Sequence, residues 1–439
     1  MSKFCGNLSL VTKLLCTGAI ATTATSFCWL TLGNDLQAHA TLKDNPKAVV
    51  DEVWQIINRE YVDGTFNRSN WLQLRQELLS QEYTSNEQAY TAIRTALEKL
   101  GDPYTRFMEP EQFKSLTSQT TGELSGVGIR LAVDSATKTL TIVEPMANSP
   151  AEKAGIKPGD KLLAIDGKST RGMSIEQASI LIRGEVGTKI SLKLSRAEKG
   201  DFELKLTRAQ IELPSVRYTL NQEGNIKVGY IYLSEFNSHS PDQMRKAIQA
   251  LKRQKAQAFV LDLRENPGGL LLSSIEIARM WLDTGSIVRT VDRKGENDEF
   301  KANRTALTQL PLAVLVNGDS ASASEILAGA LQDNKRATII GTETFGKALV
   351  QSVHDLSDGS GLAVTVAHYY TPKGTDIGHK GVSPDIHINI SKEQQFQLSA
   401  RSNWFGSPQD PLYTKAIAVL QSDVTQGAPS RSPSPVSVR

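Results

Sequence analysis

A multidomain α/β fold is predicted for this chain, with an N-terminal helical region and a separate β-rich module ahead of an α/β core. The chain has 439 residues, too many for one small core. Its hydrophobic pattern changes twice, from helical spacing, to short β-type runs, to strand–helix alternation. Its composition, 39% hydrophobic and 22% charged, is that of a soluble globular protein. The formal net charge is only +2 and no long basic run occurs, which argues against a nucleic-acid partner.

The first segment, 1–40, is unlike the rest. Lys3 and Lys13 precede a largely uncharged stretch from Leu14 to Gly33, and Ala38-His39-Ala40 forms an A-x-A-like site. This reads as a secretory signal peptide cleaved after Ala40. The rival reading is a retained membrane anchor, because the uncharged run is long enough to span a bilayer. All three cysteines, Cys5, Cys16 and Cys28, fall in this segment. The mature chain would then have no disulfide, no thiol nucleophile and no Cys-ligated metal.

Residues 41–116 form the helical region. Val49, Val50, Val53, Ile56 and Ile57 recur at helical spacing after Pro46, and a second helical stretch runs from Glu87 to Leu100. Gly101-Asp102-Pro103 then reads as a helix stop and a turn. Residues 117–208 carry β-type runs at Gly128–Val133, Leu140–Val143, Lys161–Ile165, Lys189–Leu194 and Phe202–Leu206. Short helices are expected near Ala151–Ala154 and Ile175–Ile182. The length, about 90 residues, suits an independent module.

Residues 209–400 form the α/β core. Strands are expected at Ile226–Leu233, Ala258–Leu263 and Leu312–Val316. Helices are expected at Asp242–Arg253, after Asn266-Pro267-Gly268-Gly269, and from the Asn317-Gly318-Asp319 turn through Gln332. A C-terminal segment, 401–427, precedes a Ser/Pro-rich tail, 428–439, which reads as disordered.

In the module, Gly122-Glu123-Leu124-Ser125-Gly126-Val127-Gly128-Ile129 is a Gly-rich loop entering a strand. Its backbone amides could cradle an anion, although no phosphate-loop lysine follows. With the downstream run Ser149-Pro150-Ala151-Glu152-Lys153-Ala154-Gly155 through Asp166-Gly167, this region resembles a PDZ domain. The resemblance implies binding of an extended C-terminal peptide as an added strand, with Val127, Gly128 and Ile129 at its carboxylate.

The chemical signal lies further on, in Asn317-Gly318-Asp319-Ser320-Ala321-Ser322-Ala323-Ser324-Glu325, with Phe345-Gly346-Lys347 and Gln351. A serine at a helix start is ordinarily a cap, and Ser322-x-x-Glu325 fits the capping box. Small flanking residues and a helix N-terminus would also suit a nucleophile with an oxyanion site. Six histidines occur, yet none carries a triad signature, and no Gly-x-Ser-x-Gly elbow is present. Lys347 could serve as base only if burial lowers its pKa from about 10.4 to roughly 7–8, which costs about 4 kcal/mol. As a lone residue it reads first as a solvated surface lysine.

These motifs, together with Gly229-Tyr230-Ile231-Tyr232-Leu233-Ser234-Glu235-Phe236 and Leu261-Asp262-Leu263-Arg264-Glu265-Asn266-Pro267-Gly268-Gly269, resemble the carboxyl-terminal processing peptidases, or tail-specific proteases, and most closely their photosynthetic branch. The resemblance spans about Pro46 to Ile390. It implies a ClpP/crotonase-like catalytic core with an inserted PDZ domain. It implies Ser322 as nucleophile, Lys347 as base, Gln351 as the residue positioning that base, and Gly268 and Ala323 as oxyanion amides. Glu325 falls where relatives carry an acidic residue, and Arg183 where some relatives sense bound peptide. The chemistry implied needs no metal or other cofactor. The implied partners are proteins with exposed C-terminal tails, and peripheral membrane association is compatible with this reading. The implied location is the periplasm or thylakoid lumen, and the implied substrate is the precursor of a photosystem II reaction-centre subunit. A non-catalytic envelope scaffold that binds C-termini through the module is the alternative. A trypsin-like PDZ protease would need a catalytic domain ahead of the module, where residues 41–116 leave too little chain.

Overall fold

The computed structural model describes residues 45–425, apart from 135–136, 392, 395–396 and 399–404. The expected signal segment, its cysteines and the Ser/Pro-rich tail lie outside the described residues.

The helix Pro46–Glu60 buries Val49, Val50, Val53, Trp54, Ile56 and Ile57, the stripe that its periodicity foretold. The helix Asn86–Glu98 starts at Ser85, whose hydroxyl accepts from the Gln88 amide. Between them stands Trp71–Ser80, a helix too short to announce itself, which buries Trp71, Leu74 and Leu78. A short strand β1 (Arg106–Met108) follows the Gly101 turn. The helix Pro110–Thr121 then ends on Gly122 at φ 71°, a left-handed C-cap.

Strand β2 (Glu123–Gly126) leads into the module. The module comprises β3 (Ile129–Val133), β4 (Leu140–Pro145), β5 (Lys161–Ile165), β6 (Lys168–Ser169), β7 (Lys189–Arg196) and β8 (Gly200–Thr207), and β9 (Ala209–Glu212) leads out. The sheet order is β3-β4-β5-β7-β8, with β6 on β5. Helices Pro150–Lys153 and Ile175–Ile182 accompany it, and Leu140, Ile142, Leu162, Ile165, Ile190, Leu192 and Leu194 fill its interior. The entering and leaving strands pair with each other, Glu123 opposite Glu212, as a separate two-stranded ribbon.

The core holds β10 (Val216–Glu223), β11 (Ile226–Leu233), β12 (Ala258–Asp262), β13 (Ser286–Asp292), β14 (Asn297–Lys301), β15 (Leu312–Val316), β16 (Thr338–Gly341), β17 (Leu349–Asp355), β18 (Gly361–Tyr370) and β19 (Ile386–His387). Its main sheet runs β10-β11-β12-β15-β16-β19, parallel from β11 to β19, with β10 antiparallel at the edge. Every residue of β12 and β15 is buried. Their side chains alternate between two hydrophobic clusters. Phe259, Leu261, Leu312, Val314 and Val316 share a cluster with the helices Ser240–Arg253, Leu271–Trp281 and Ala323–Asp333. Ala258, Val260, Ala313 and Leu315 share the other with the helix Pro411–Thr425. That last helix was expected only as a C-terminal segment; here it covers a face of the sheet. Helices on both faces are what a parallel sheet requires.

A second sheet, β1-β18-β13-β14 with β17 on β18, carries the N-terminal helices, whose cluster includes Leu362 and Val364 of β18. At the end of β12, Arg264 bridges Asp262 and the N-terminal end of Pro411–Thr425 through Asp410, at 2.5 and 2.6 Å. This buried triad anchors the loop that follows.

Candidate active site

In a parallel sheet the loops at the carboxyl ends of the strands converge, and sites form there. The loop after β12 contains Asn266-Pro267-Gly268-Gly269, and the loop after β15 contains Ser320 to Ser322. Gly268 has φ 100°, and a Cβ on it would stand 2.9 Å from both the Ser322 Cβ and the Ala323 nitrogen. Only glycine allows that approach. The structure therefore brings Gly268, Ser322 and Ala323 together.

Three serines compete for attention, and their environments separate them. Ser320 is fully buried, and its hydroxyl donates to the Leu263 carbonyl at 2.8 Å. Ser324 is fully buried too, and its hydroxyl donates to the Asn266 carbonyl at 2.9 Å. Both bind the two loops together. Ser322 is partly exposed and sits at φ 54°, ψ −111°, ahead of the helix Ala323–Asp333. Holding a non-glycine residue in that region costs about 1–3 kcal/mol, a strain found at functional turns. As a helix cap Ser322 uses its backbone: its carbonyl accepts from the Glu325 amide at 2.9 Å. The Ala323 amide opens the helix, where no intrahelical acceptor is available.

Glu325 does more than complete a cap. It is fully buried, and its Oε2 accepts from the Ser322 amide at 2.7 Å and the Lys347 amide at 3.0 Å. Its Oε1 accepts from the Thr344 hydroxyl at 2.6 Å and the Gly346 amide at 2.7 Å. One oxygen therefore holds the backbones of both residues expected to act as nucleophile and base. Tyr369 of β18 adds a second clasp: its buried hydroxyl donates to the Lys347 carbonyl and lies 3.2 Å from the Ser322 carbonyl. Burial and Glu325 push its phenol far up, so it remains a donor.

Burial draws the Lys347 ammonium below its usual range, and Arg106 pushes the same way, while Asp102 and Glu325 oppose the shift. Its Nζ lies 4.7 Å from the centroid of the Tyr104 ring. No hydrogen bond joins the Ser322 hydroxyl to the Lys347 amine among the described residues. Gln351 on β17 reaches Thr365, with Nε2 3.4 Å from Oγ1. The Gly268 amide donates to the Asn266 side chain at 2.9 Å, so its hydrogen is occupied within its own loop.

The remaining expected residues belong to the module. The carbonyls of Val127 and Gly128 accept from the Ala151 and Met146 amides at 2.9 Å each, which fixes the loop. Val127, Gly128 and Ile129 line a cavity of about 80 Å³ with Leu131, Met146, Ile182 and Arg183. The strand β3 beside it is an edge of its sheet, the geometry that accepts an added strand.

Sequence reasoning missed Tyr104, Tyr369 and Asp102, and left Glu325 with an unassigned role. The only hint was the Gly101-Asp102-Pro103 turn, read as punctuation.

Comparison with known proteins adds an independent line. The model for peptidase family S41 matches residues 227–388, and a PDZ domain model matches residues 141–196. A carboxyl-terminal-processing protease of Synechocystis sp. is 44% identical over 395 residues, which cover 90% of each chain. The chloroplastic carboxyl-terminal-processing peptidase 2 of Arabidopsis thaliana is 42% identical over 346 residues, 76% of this chain and 67% of that one. The solved structure of a photosystem II D1 C-terminal processing protease is 39% identical. It covers 78% of this chain and 93% of its own, with a TM-score of 0.51.

Proposed function

This chain belongs to peptidase family S41, among carboxyl-terminal-processing proteases that carry a PDZ domain, and from that premise we propose that Ser322 and Lys347 are its nucleophile and base. The observation that carries the reading is the shared Glu325 oxygen, which accepts from the Ser322 amide at 2.7 Å and the Lys347 amide at 3.0 Å. Two segments distant in sequence are held on one atom, which supports their acting as a pair.

Neutral Lys347 leaves the Tyr104 ring and takes the Ser322 proton. The Ser322 oxygen attacks the peptide carbonyl, and the lysine passes its proton to the leaving amine. Water then attacks the ester, with the same amine as base. The charge that develops on the carbonyl oxygen is met by the Ala323 amide and the helix N-terminus. The Gly268 amide joins them by exchanging its Asn266 acceptor for the oxyanion. Gln351 supports the amine, and the module presents the substrate tail, seated at Val127, Gly128 and Ile129 with Arg183 alongside.

The core of this reading is ClpP/crotonase-like, which the helix-covered parallel sheet supports. The name of the solved relative supports a photosystem II reaction-centre precursor as substrate. The cyanobacterial and chloroplastic relatives support an exported enzyme of the periplasm or thylakoid lumen. No described helix is long and apolar enough to cross a membrane.

The test is to incubate wild type, Ser322→Ala and Lys347→Ala with a precursor bearing a C-terminal extension and to weigh the products. Wild type should release the extension, and each variant should lose cleavage by about 10⁴-fold or more while keeping its thermal transition. Normal cleavage by either variant would falsify the dyad.

A further inference from the structure

To act as a base, Lys347 must aim its lone pair at Ser322 while its N–H bonds find acceptors, so the polarity of its neighbours matters. The polarity of Gln351 is set from a distance. Thr365, buried on β18, donates its hydroxyl proton to Asp102 Oδ2 at 2.6 Å. Thr105 donates to the same oxygen at 2.7 Å, and its own oxygen accepts from the Thr365 amide at 3.0 Å. A carboxylate only accepts, and each threonine has one hydroxyl proton. Both protons are therefore used, and Thr365 can only accept from Gln351, across the 3.4 Å contact. The end of Gln351 facing Thr365 has to be its NH₂. Its carbonyl oxygen is then the end left to accept from an amine. The two ends of an amide are alike in shape, so hydrogen-bond partners decide its orientation.

The other oxygen of Asp102 acts at a second point. Oδ1 accepts from the Tyr104 amide at 2.9 Å, fixing the backbone of the residue whose ring lies 4.7 Å from the Lys347 amine.

We propose that Asp102 is a positioning residue for the base: through Thr365 it orients Gln351, and through Tyr104 it places the ring on which the amine lies. The proposal rests on the reading of Lys347 as base. The charged and titratable groups facing that amine are Asp102 and Tyr104 from the turn before β1, Arg106 at the start of β1 and Glu325 from the helix start, with Tyr369 of β18 on its backbone carbonyl. Asp102 favours the charged amine, so its loss should ease deprotonation even as geometry is lost.

The experiment measures kcat and KM across pH for full-length Asp102→Asn, Thr365→Val, Thr365→Ser and Lys347→Ala on one tail-bearing peptide. Asp102→Asn and Thr365→Val should lower kcat by about tenfold or more with KM within about twofold. Thr365→Ser should restore most of the rate. The acid limb of kcat should move to lower pH in Asp102→Asn and stay in place in Thr365→Val. Wild-type kcat in Asp102→Asn, an unmoved acid limb in that same variant, or Thr365→Ser as slow as Thr365→Val would each overturn the proposal. Should Asp102→Asn fail to fold, Thr365→Val against Thr365→Ser decides the matter. An active Lys347→Ala would sink the base assignment itself. A dead Lys347→Ala beside an unimpaired Asp102→Asn would sink only the role given to Asp102.

Discussion

The parallel sheet of the core and the antiparallel sheet of the module treat water differently. In β12 and β15 every side chain is buried, because helices cover both faces. In β7 buried and accessible positions alternate, because one face meets solvent. The core strands have no freedom to slip, and the loops they deliver carry Gly268 and Ser322. The module hangs from the β2–β9 ribbon, and the ribbon, with the helix end before it, meets the core through polar contacts. Ser238 donates to the Thr121 carbonyl at 2.6 Å, His239 meets Glu123 at 2.8 Å, and Gln243 donates to Glu212 at 2.8 Å. Polar contacts of this kind contribute about 1 kcal/mol each, far less than a buried apolar interface. The proposed chemistry rides on the region whose burial leaves one arrangement, and the proposed recognition on the region tied by contacts that exchange readily with water.

The sharpest way to break that comparison is Glu325→Gln. Turned one way, the new NH₂ faces two obligate donors, the Ser322 and Lys347 amides; turned the other, it faces the Gly346 amide, and only the Thr344 hydroxyl can turn to accept from it. Stability should fall by about 2–4 kcal/mol in denaturant melts, and kcat by about 100-fold or more. A rate within threefold of wild type would mean that the core interior does not hold the site together. A smaller effect should follow Gly128→Ala in the module. The added Cβ would stand 2.3 Å from the Ser149 Cβ at φ 75°, so the loop must move. KM for a tail-bearing substrate should rise about tenfold, a loss of about 1.4 kcal/mol. The kcat on a short peptide without a tail should not change. If kcat falls as well, the two regions are less separate than the polar seam suggests.

The smallest effect is electrostatic. With Lys347 as the proposed base, cleavage needs its neutral amine, so kcat should rise with pH as that amine sheds its proton. Arg106 helps to lower its pKa, so Arg106→Gln should raise the pKa and move the acid limb to higher pH, with the high-pH plateau unchanged. An unmoved limb would show the core site to be insulated from β1.

Much of this was legible in the chain. The strand Ile226–Leu233 and the helix Ile175–Ile182 have the ends expected of them, because long runs with clear periodicity and Gly or Asn punctuation specify themselves. The helix Trp71–Ser80 and the hairpin β13–β14 were not foreseen. Their residues fold through distant contacts, such as the stack of Trp71 on Trp54 and the pairing of β13 with β18. In the site, family resemblance singled out the middle serine, and the structure supplies a reason: the hydroxyls on either side are consumed in tying loops together.

The sequence by itself determined the order of helical region, module and core, and the motifs that carry Ser322, Lys347 and Gln351. Local spacing and small flanking residues are properties of neighbours along the chain. Only the tertiary structure decided which carboxylate joins the Ser322 and Lys347 segments, which tyrosine clasps them, and that Asp102 reaches Thr365 from the turn before β1. Those contacts link residues far apart in sequence, and their strength comes from burial and hydrogen-bond direction, which exist only once the sheets have packed.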